Sequence, residues 1–326
     1  MNLSLLLAQK DICILDGAMG TELHRHGVDI GLPLWSANGL IRAPHIVRNV
    51  HFAYLNAGAD ILTTNTFRTN IRMLQRAGFA ERWEELNLRA LELAFEARER
   101  FRPARPVLIA GGLSPVEDSY SPELVPSAAE LRDEHGRQAE LLAMLGADIL
   151  LAETLMTIRE AEIAADACAA TGKEFAMSFV CRPDGALLSG EPLDEAVAAV
   201  RAHDPAALLV NCTSAQDIAA AHRTLRGTGF GITGCYANTG VPKKGEHVQT
   251  QHDVTPEEFA DHSREWVTDG ARIVGGCCGT TPEHIELLTR RHSPGTLRFQ
   301  EDEIAAWKDA RARRWQNIHS QQNPDA

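Results

Sequence analysis

A chain of 326 residues with 44% apolar side chains can bury one large core, and its length suits a single α/β barrel better than two average domains. Its 44 acidic against 32 basic residues give a net charge of −12, and without a run of Lys or Arg to follow a phosphate backbone, nucleic acid is not an expected partner. No stretch approaches the roughly 20 apolar residues that span a membrane. The first apolar run, Leu3 to Leu7, has no basic residue before it and meets Lys10 and Asp11 too soon for a signal peptide, so a cytoplasmic protein is expected. Seven cysteines in such a chain read as reduced thiols, not as a disulfide framework.

Apolar or β-branched runs bounded by turn residues recur in chain order at Ile12–Leu15, Ile61–Thr64, Val107–Ala110, Ile149–Ala152, Phe175–Val180, Ala207–Val210, Gly231–Thr233 and Arg272–Val274. Segments of helical spacing lie between them: Glu81–Arg100, Ser127–Leu145, Thr157–Thr171, Leu193–His203, Ser214–Leu225 and Pro256–Thr268. Repeated strand and helix predict a (β/α)8 TIM barrel. Thr255-Pro256-Glu257 and Thr281-Pro282-Glu283 each supply a capping hydroxyl, a proline for the first helical position and an early acid. The turn-rich block from Gly111 to Pro126 predicts a long loop after the third strand, placed to act as a lid. The barrel is expected to occupy residues 1–293. Residues 294–326 are expected to form a C-terminal extension, with an amphipathic helix at Ile304–Trp315 and a polar, disordered tail.

Barrel enzymes carry their chemistry at the C-terminal ends of the strands. Here those ends read Asp16-Gly17, Thr64-Asn65-Thr66, Glu153-Thr154, Asn211-Cys212-Thr213 and Gly275-Gly276-Cys277-Cys278. Two carboxylates and three thiols would face one mouth. Cys212, Cys277 and Cys278 from two strand ends form a plausible three-thiolate Zn²⁺ site with an open fourth position, the arrangement of a catalytic zinc. A lone cysteine is more often a small buried apolar residue, but an adjacent pair among glycines is not typical of one. Gly275, Gly276 and Gly279 are expected to take positive φ and turn both sulfurs toward one ion. Cys13, Cys168 and Cys181 lack that setting and are assigned to packing, and Cys235 is left undecided. Gly229–Gly234 matches a dinucleotide pattern but overlaps a strand instead of following one. His24 and His26 lie too far beyond the first strand to be barrel metal ligands, and the Asn211-Cys212-Thr213 glycosylation pattern has no meaning without secretion.

The motifs Asp16-Gly17-Ala18-Met19-Gly20-Thr21, Gly58-Ala59-Asp60, Thr64-Asn65-Thr66-Phe67, Glu153-Thr154, Asn211-Cys212-Thr213 and Gly275-Gly276-Cys277-Cys278-Gly279-Thr280-Thr281-Pro282 together resemble the homocysteine S-methyltransferase family, over about residues 10 to 292. The resemblance implies a (β/α)8 barrel whose three corresponding cysteines bind zinc. It implies that Asp16 and Glu153 bind the ammonium of homocysteine, and that the backbone around Gly17 and the Thr64 region hold its carboxylate. Tyr236-Ala237-Asn238-Thr239-Gly240 is similar to the family's Tyr-Pro-Asn-Ser/Ala-Gly, with Ala237 in place of proline, and Asn238 is then expected at the fourth zinc position when substrate is absent.

The expected reaction is transfer of a methyl group to the ionised thiol of homocysteine, giving methionine. A cationic donor calls for aromatic faces, for which Trp35, Phe67 and Tyr236 are candidates. Betaine-using relatives carry aromatic residues at the positions of Arg68 and Thr154, which disfavours betaine. The folate and cobalamin domains of methylfolate-using relatives find no room in 326 residues. A small sulfonium donor, S-methylmethionine or S-adenosylmethionine, is preferred, while delivery by a separate corrinoid protein and assembly into a homo-oligomer stay open. Two rival readings remain: a barrel hydrolase, which would want an aspartate where Cys277-Cys278 stands, and a non-catalytic zinc- or thiol-binding protein, which would have no need of Asp16 and Glu153.

Overall fold

The computed structural model describes residues 2–101, 105–241 and 254–293. Its strands are β1 (Cys13–Ile14), β2 (Ile61–Thr63), β3 (Leu108–Leu113), β4 (Ile149–Leu155), β5 (Phe175–Val180), β6 (Ala207–Ser214), β7 (Thr233–Asn238) and β8 (Ile273–Gly276). Every neighbouring pair is parallel, in the order β1-β8-β7-β6-β5-β4-β3-β2. A parallel bridge between Leu15 and Ile61 joins the two ends, and the Asp60 amide donates to the Ile14 carbonyl at 2.7 Å across the same seam. The result is the expected (β/α)8 barrel.

The strands are buried on both faces, and two apolar layers follow. Leu108, Ala110, Leu151, Ala176, Leu209 and Ile273 point into the barrel, whereas Ile109, Leu150, Met177, Leu208, Val210 and Val274 point outward against the helices. Helix starts are chemically defined. Ser127 and Glu130, and likewise Thr255 and Glu258, satisfy each other's backbone amides in reciprocal caps. The Thr157 hydroxyl caps the helix that follows β4.

One element escaped the sequence reading. Leu3–Gln9 is a helix whose buried residues Leu3, Leu6 and Leu7 pack against Leu15, Ile61 and Ile149 to close the bottom of the barrel. Its first amides, at Leu3 and Ser4, donate to the Glu174 carboxylate, and the Arg272 guanidinium donates to the carbonyls of Leu7 and Lys10 at 2.9 and 2.8 Å. Two turns are too short for a periodicity argument, and the anchors are distant in sequence.

Four strands also run on past their apolar runs. β3, β4, β6 and β8 continue into Gly111–Leu113, Glu153–Leu155, Asn211–Ser214 and Gly275–Gly276. β7 is displaced from the expected Gly231–Thr233 to Thr233–Asn238, because ladder bonds to β6 and β8 hold residues that have no apolar run of their own. The polar motif residues are therefore part of the sheet. The expected helix at Ile304–Trp315 lies outside the described residues.

Replacing Leu6 by Ala removes a fully buried side chain and is expected to cost about 2–5 kcal/mol. Urea unfolding measures it, and a loss below about 1 kcal/mol would show that the helix is not part of the cooperative core.

Candidate metal and substrate site

β6 delivers the first thiol through a distortion. Its register against β7 shifts between Asn211 and Ser214, and Cys212 sits there at φ 52°, in the left-handed region that costs a side-chain-bearing residue roughly 1–2 kcal/mol. β4 has a matching shift between Ala152 and Leu155, where Thr154 stands at φ 64°. Asn211 locks the two irregularities together. Its carboxamide donates to the Thr154 hydroxyl at 2.8 Å and accepts from the Thr154 amide at 3.2 Å and the Ser178 hydroxyl at 2.7 Å. The bulges turn Glu153 and Cys212 toward one cavity at the barrel mouth.

The other two thiols follow β8 in a tight turn. The Cys277 amide donates to the Ala237 carbonyl at 2.7 Å, and the Thr280 hydroxyl to the Cys277 carbonyl at 2.7 Å. Gly279 holds φ 86°, and a Cβ there would lie 2.0 Å from the Thr239 hydroxyl. Gly275 and Gly276, expected at positive φ, are instead extended members of β8. What they need is space: a Cβ on Gly275 would meet Leu15 at 2.7 Å and one on Gly276 the Thr280 hydroxyl at 2.4 Å. Arg25 braces the turn from behind, donating to the Gly279 carbonyl at 2.6 Å and pairing with the buried Glu22.

The three sulfurs lie within 4.8 Å of one another, with Cys212 and Cys277 at 2.8 Å, beyond the ~2.05 Å of a disulfide. Cys212 ionises most readily, because Cys277 and Cys278 donate hydrogen bonds to it and the Tyr120 and Thr154 hydroxyls assist. Cys277 and Cys278 are held well above the ordinary thiol range, first by donating to Cys212 and then by burial. Full ionisation thus needs a neighbouring cation, and a three-thiol donor set, with Cys212 buried and Cys277 and Cys278 half-buried, fits a thiophilic divalent ion such as zinc. Cys235, left undecided by the sequence, is fully buried between the strands and the helices. Cys13, Cys168 and Cys181 are also buried, and none of these four joins the sulfur group.

Asp16 and Glu153 line the same cavity. Asp16 is 4% exposed, accepts from the Thr63 amide at 2.9 Å, and is pushed up to about 8 by burial. Glu153 is also pushed up to about 8, by burial first and then by the Cys212 charge and Asp16, while the Tyr236 hydroxyl donates to it at 3.2 Å. A buried acid and a half-buried one, with no basic side chain among the groups acting on them, present a site for a cation. Gly17 and Thr64 complete this end of the cavity. The Thr64 hydroxyl accepts from the Gly112 amide at 3.1 Å, which ties β2 to β3 at the rim. Asn238 is not part of the lining: its carboxamide oxygen accepts from the Cys278 amide at 2.9 Å, so it holds the cysteine turn where it was expected at a fourth ligand position.

The remaining wall is aromatic and basic. Trp35, at φ 47°, meets Phe67 edge to face with centroids 5.7 Å apart, and Arg68 follows. The loop after β3 contributes Asp118, Ser119 and Tyr120. That loop was expected over the mouth, but Tyr120 was not singled out. The signal available was that it is one of only three tyrosines and falls in the turn-rich segment after the third strand. His24 is exposed and His26 half-buried, and neither lines the cavity.

The family model described as homocysteine S-methyltransferase matches residues 13–292. The homocysteine S-methyltransferase of Escherichia coli (strain K12) is 33% identical over 309 residues, covering 88% of this chain and 97% of the relative. Homocysteine S-methyltransferase 3 of Zea mays is 30% identical, covering 88% and 92%, and a selenocysteine methyltransferase of Astragalus bisulcatus is 31% identical, covering 86% and 93%. Among solved structures, the metallated form of the homocysteine methyltransferase MmuM from Escherichia coli superposes with a TM-score of 0.79 at 31% identity, covering 89% of this chain and 99% of that one.

The raised acid at Asp16 fixes a pH dependence. Its folded form keeps a proton up to about pH 8, whereas an unfolded aspartate releases it near pH ~4. Stability therefore declines as pH rises between those values, and the cost is complete above the higher one. Asp16→Asn is expected to melt at a higher temperature than the parent at pH 9, with the gap closing toward pH 5. Thermal scans without substrate check this, and a gap that widens at low pH would contradict it.

Proposed function

The chain belongs to the homocysteine S-methyltransferase family, and from that premise we propose that it forms methionine by moving a methyl group from a small sulfonium donor, S-methylmethionine or S-adenosylmethionine, to homocysteine. The observation that carries the reading is the meeting of three sulfurs, within 4.8 Å of one another, and two uncompensated acids in one cavity. Cys212, Cys277 and Cys278 would hold zinc. What a zinc ion supplies when bound is acidity, since a thiol that ionises near pH 8.5 in water gives up its proton on coordination.

Asp16 and Glu153 receive the substrate ammonium, which relieves the charge that burial makes costly. The Gly17 backbone and the Thr64 region take the α-carboxylate, and Tyr236 steadies Glu153 through the hydrogen bond already described. Substrate sulfur is thereby directed toward the cysteine cluster. Its lone pair attacks the methyl carbon of the donor in line. The donor's carbon–sulfur bond breaks, its electron pair stays on the departing sulfur, and the cation becomes a neutral thioether. Trp35, Phe67 and Tyr120 present aromatic faces to the cationic donor. No side chain has to act as a base at the substrate sulfur.

Three outcomes are expected. The purified protein holds close to one zinc per chain, and Cys278→Ala loses it; metal analysis showing full retention in the variant would refute the ligand set. Glu153→Ala weakens homocysteine binding by roughly 2–3 kcal/mol, a factor of about 30 to 150, and unchanged calorimetric affinity would remove Glu153 from the ammonium site. S-methylmethionine plus homocysteine yields methionine, and turnover only with a methylcorrinoid protein would reverse the choice of donor.

A further inference from the structure

We infer that Arg68 binds the carboxylate of the methyl donor, so that the enzyme selects sulfonium donors that are themselves α-amino acids. This rests on the sulfonium reading of the donor. Arg68 lines the cavity yet is only 8% exposed, and its Nε is buried without a hydrogen-bond partner. Its one engaged nitrogen donates to the Met73 sulfur at 3.4 Å, a weak acceptor, and to the Glu117 carbonyl at 3.5 Å, the long limit of a hydrogen bond. The obvious partner is already taken: the Glu117 carboxylate is bound by Arg72 at 2.5 Å and by Arg76 at 2.5 and 2.6 Å. Asp118 accepts from the Tyr120 amide at 3.1 Å and the Ser121 hydroxyl at 3.4 Å. Among the described residues, no carboxylate lies within 4.0 Å of Arg68.

A buried guanidinium with a vacant donor edge on a cavity wall is complementary to a carboxylate, which it meets with two parallel hydrogen bonds. Two carboxylates are available in the reaction, and charge separates them. The acids acting on Arg68 are Asp118 and Glu117, and Arg68 is not among the main influences on Asp16 or Glu153. The geometry agrees: Arg68 reaches Met73 and the Glu117 carbonyl, while Asp16 accepts from Thr63 and Glu153 from Tyr236. Homocysteine carries its carboxylate on the same carbon as its ammonium, so with the ammonium at Asp16 and Glu153 its carboxylate falls to the Gly17 and Thr64 end, which leaves Arg68 to the donor. Arg68 lies over the Phe67 ring at 5.9 Å, and Trp35 meets that ring edge to face, so Trp35 on the same cavity wall offers the aromatic surface suited to a sulfonium, and Asp118 suits the donor's ammonium.

The test compares S-methylmethionine with its decarboxylated counterpart, 3-aminopropyl(dimethyl)sulfonium, on the zinc-loaded parent, Arg68→Met and Arg68→Lys. The parent is expected to prefer the carboxylated donor in kcat/KM by about 30-fold, in line with a charged hydrogen-bonded pair. That preference falls to near one in Arg68→Met and is intermediate in Arg68→Lys, while the homocysteine KM stays within twofold. Equal zinc content and melting temperature certify that the variants are folded. If Arg68→Lys alone folds, its partial loss of preference carries the test. A retained preference in a folded variant, or a rise in the homocysteine KM in place of the donor KM, overturns the inference and leaves the sulfonium reading intact. No methionine from either donor with the parent enzyme overturns both.

Discussion

Three thiols cannot all ionise side by side without help. The first thiolate, at Cys212, is stabilised by protons on its neighbours, and the next two ionisations place like charges against it in a buried setting. Asn211, Asn238 and Thr280 hold that unfavourable cluster in place. The sulfurs come from β6 and from the turn after β8, two rigid strands with β7 between them, so they cannot drift apart to relieve repulsion. A soft divalent cation would resolve the conflict, because the same crowding that is unstable alone makes a strong donor set.

Holding the cluster costs backbone energy, and the cost is met by contacts around it. Cys212 and Thr154 both occupy the left-handed region without being glycine, each at a break in a parallel ladder. Asn211 spans the two breaks and β5 with three hydrogen bonds, so neither bulge can relax independently. Met156, Val180 and Leu188 back the sulfurs with apolar surface, and Asn238 pins the Cys278 amide. Strain of this kind persists only where the surroundings over-determine it.

The cavity is polarised from end to end. Acids and thiols gather on β1, β4, β6 and β8, while the segment after β2 and the loop after β3 bring aromatic faces and a buried guanidinium. The proposed methyl transfer between two amino acids calls for this charge pattern: an ammonium and a nucleophilic sulfur on one side, and a cationic sulfur with its own carboxylate on the other. Bringing such parts together from separate strand ends is what a closed barrel does well, because each loop can vary without disturbing the ladder beneath it.

Much of this was legible along the chain. Eight apolar runs separated by helical spacing announced the barrel, and the polar residues after each run named nearly every side chain of the acidic end. The cysteine pair flanked by glycines needed no structure to draw attention. What escaped belongs to long-range contacts. The bottom helix depends on Glu174 and Arg272, far away in sequence, and periodicity does not extend to two turns. Positive φ at Gly279 was foreseeable from its type, but not the extended geometry of Gly275 and Gly276, whose smallness answers to Leu15 and Thr280. Asn238 reads as a ligand by position and acts through the Cys278 amide, a matter of where one carboxamide points. Arg68 reads as a departure from an aromatic pattern; only the folded chain shows that its natural partner, Glu117, is occupied by Arg72 and Arg76. The order of residues thus determined which chemical groups reach the mouth, because strand ends are a local property of the chain. Their charge states and their vacant partners were decided by the tertiary structure, because burial and competition for hydrogen bonds exist only once distant segments meet.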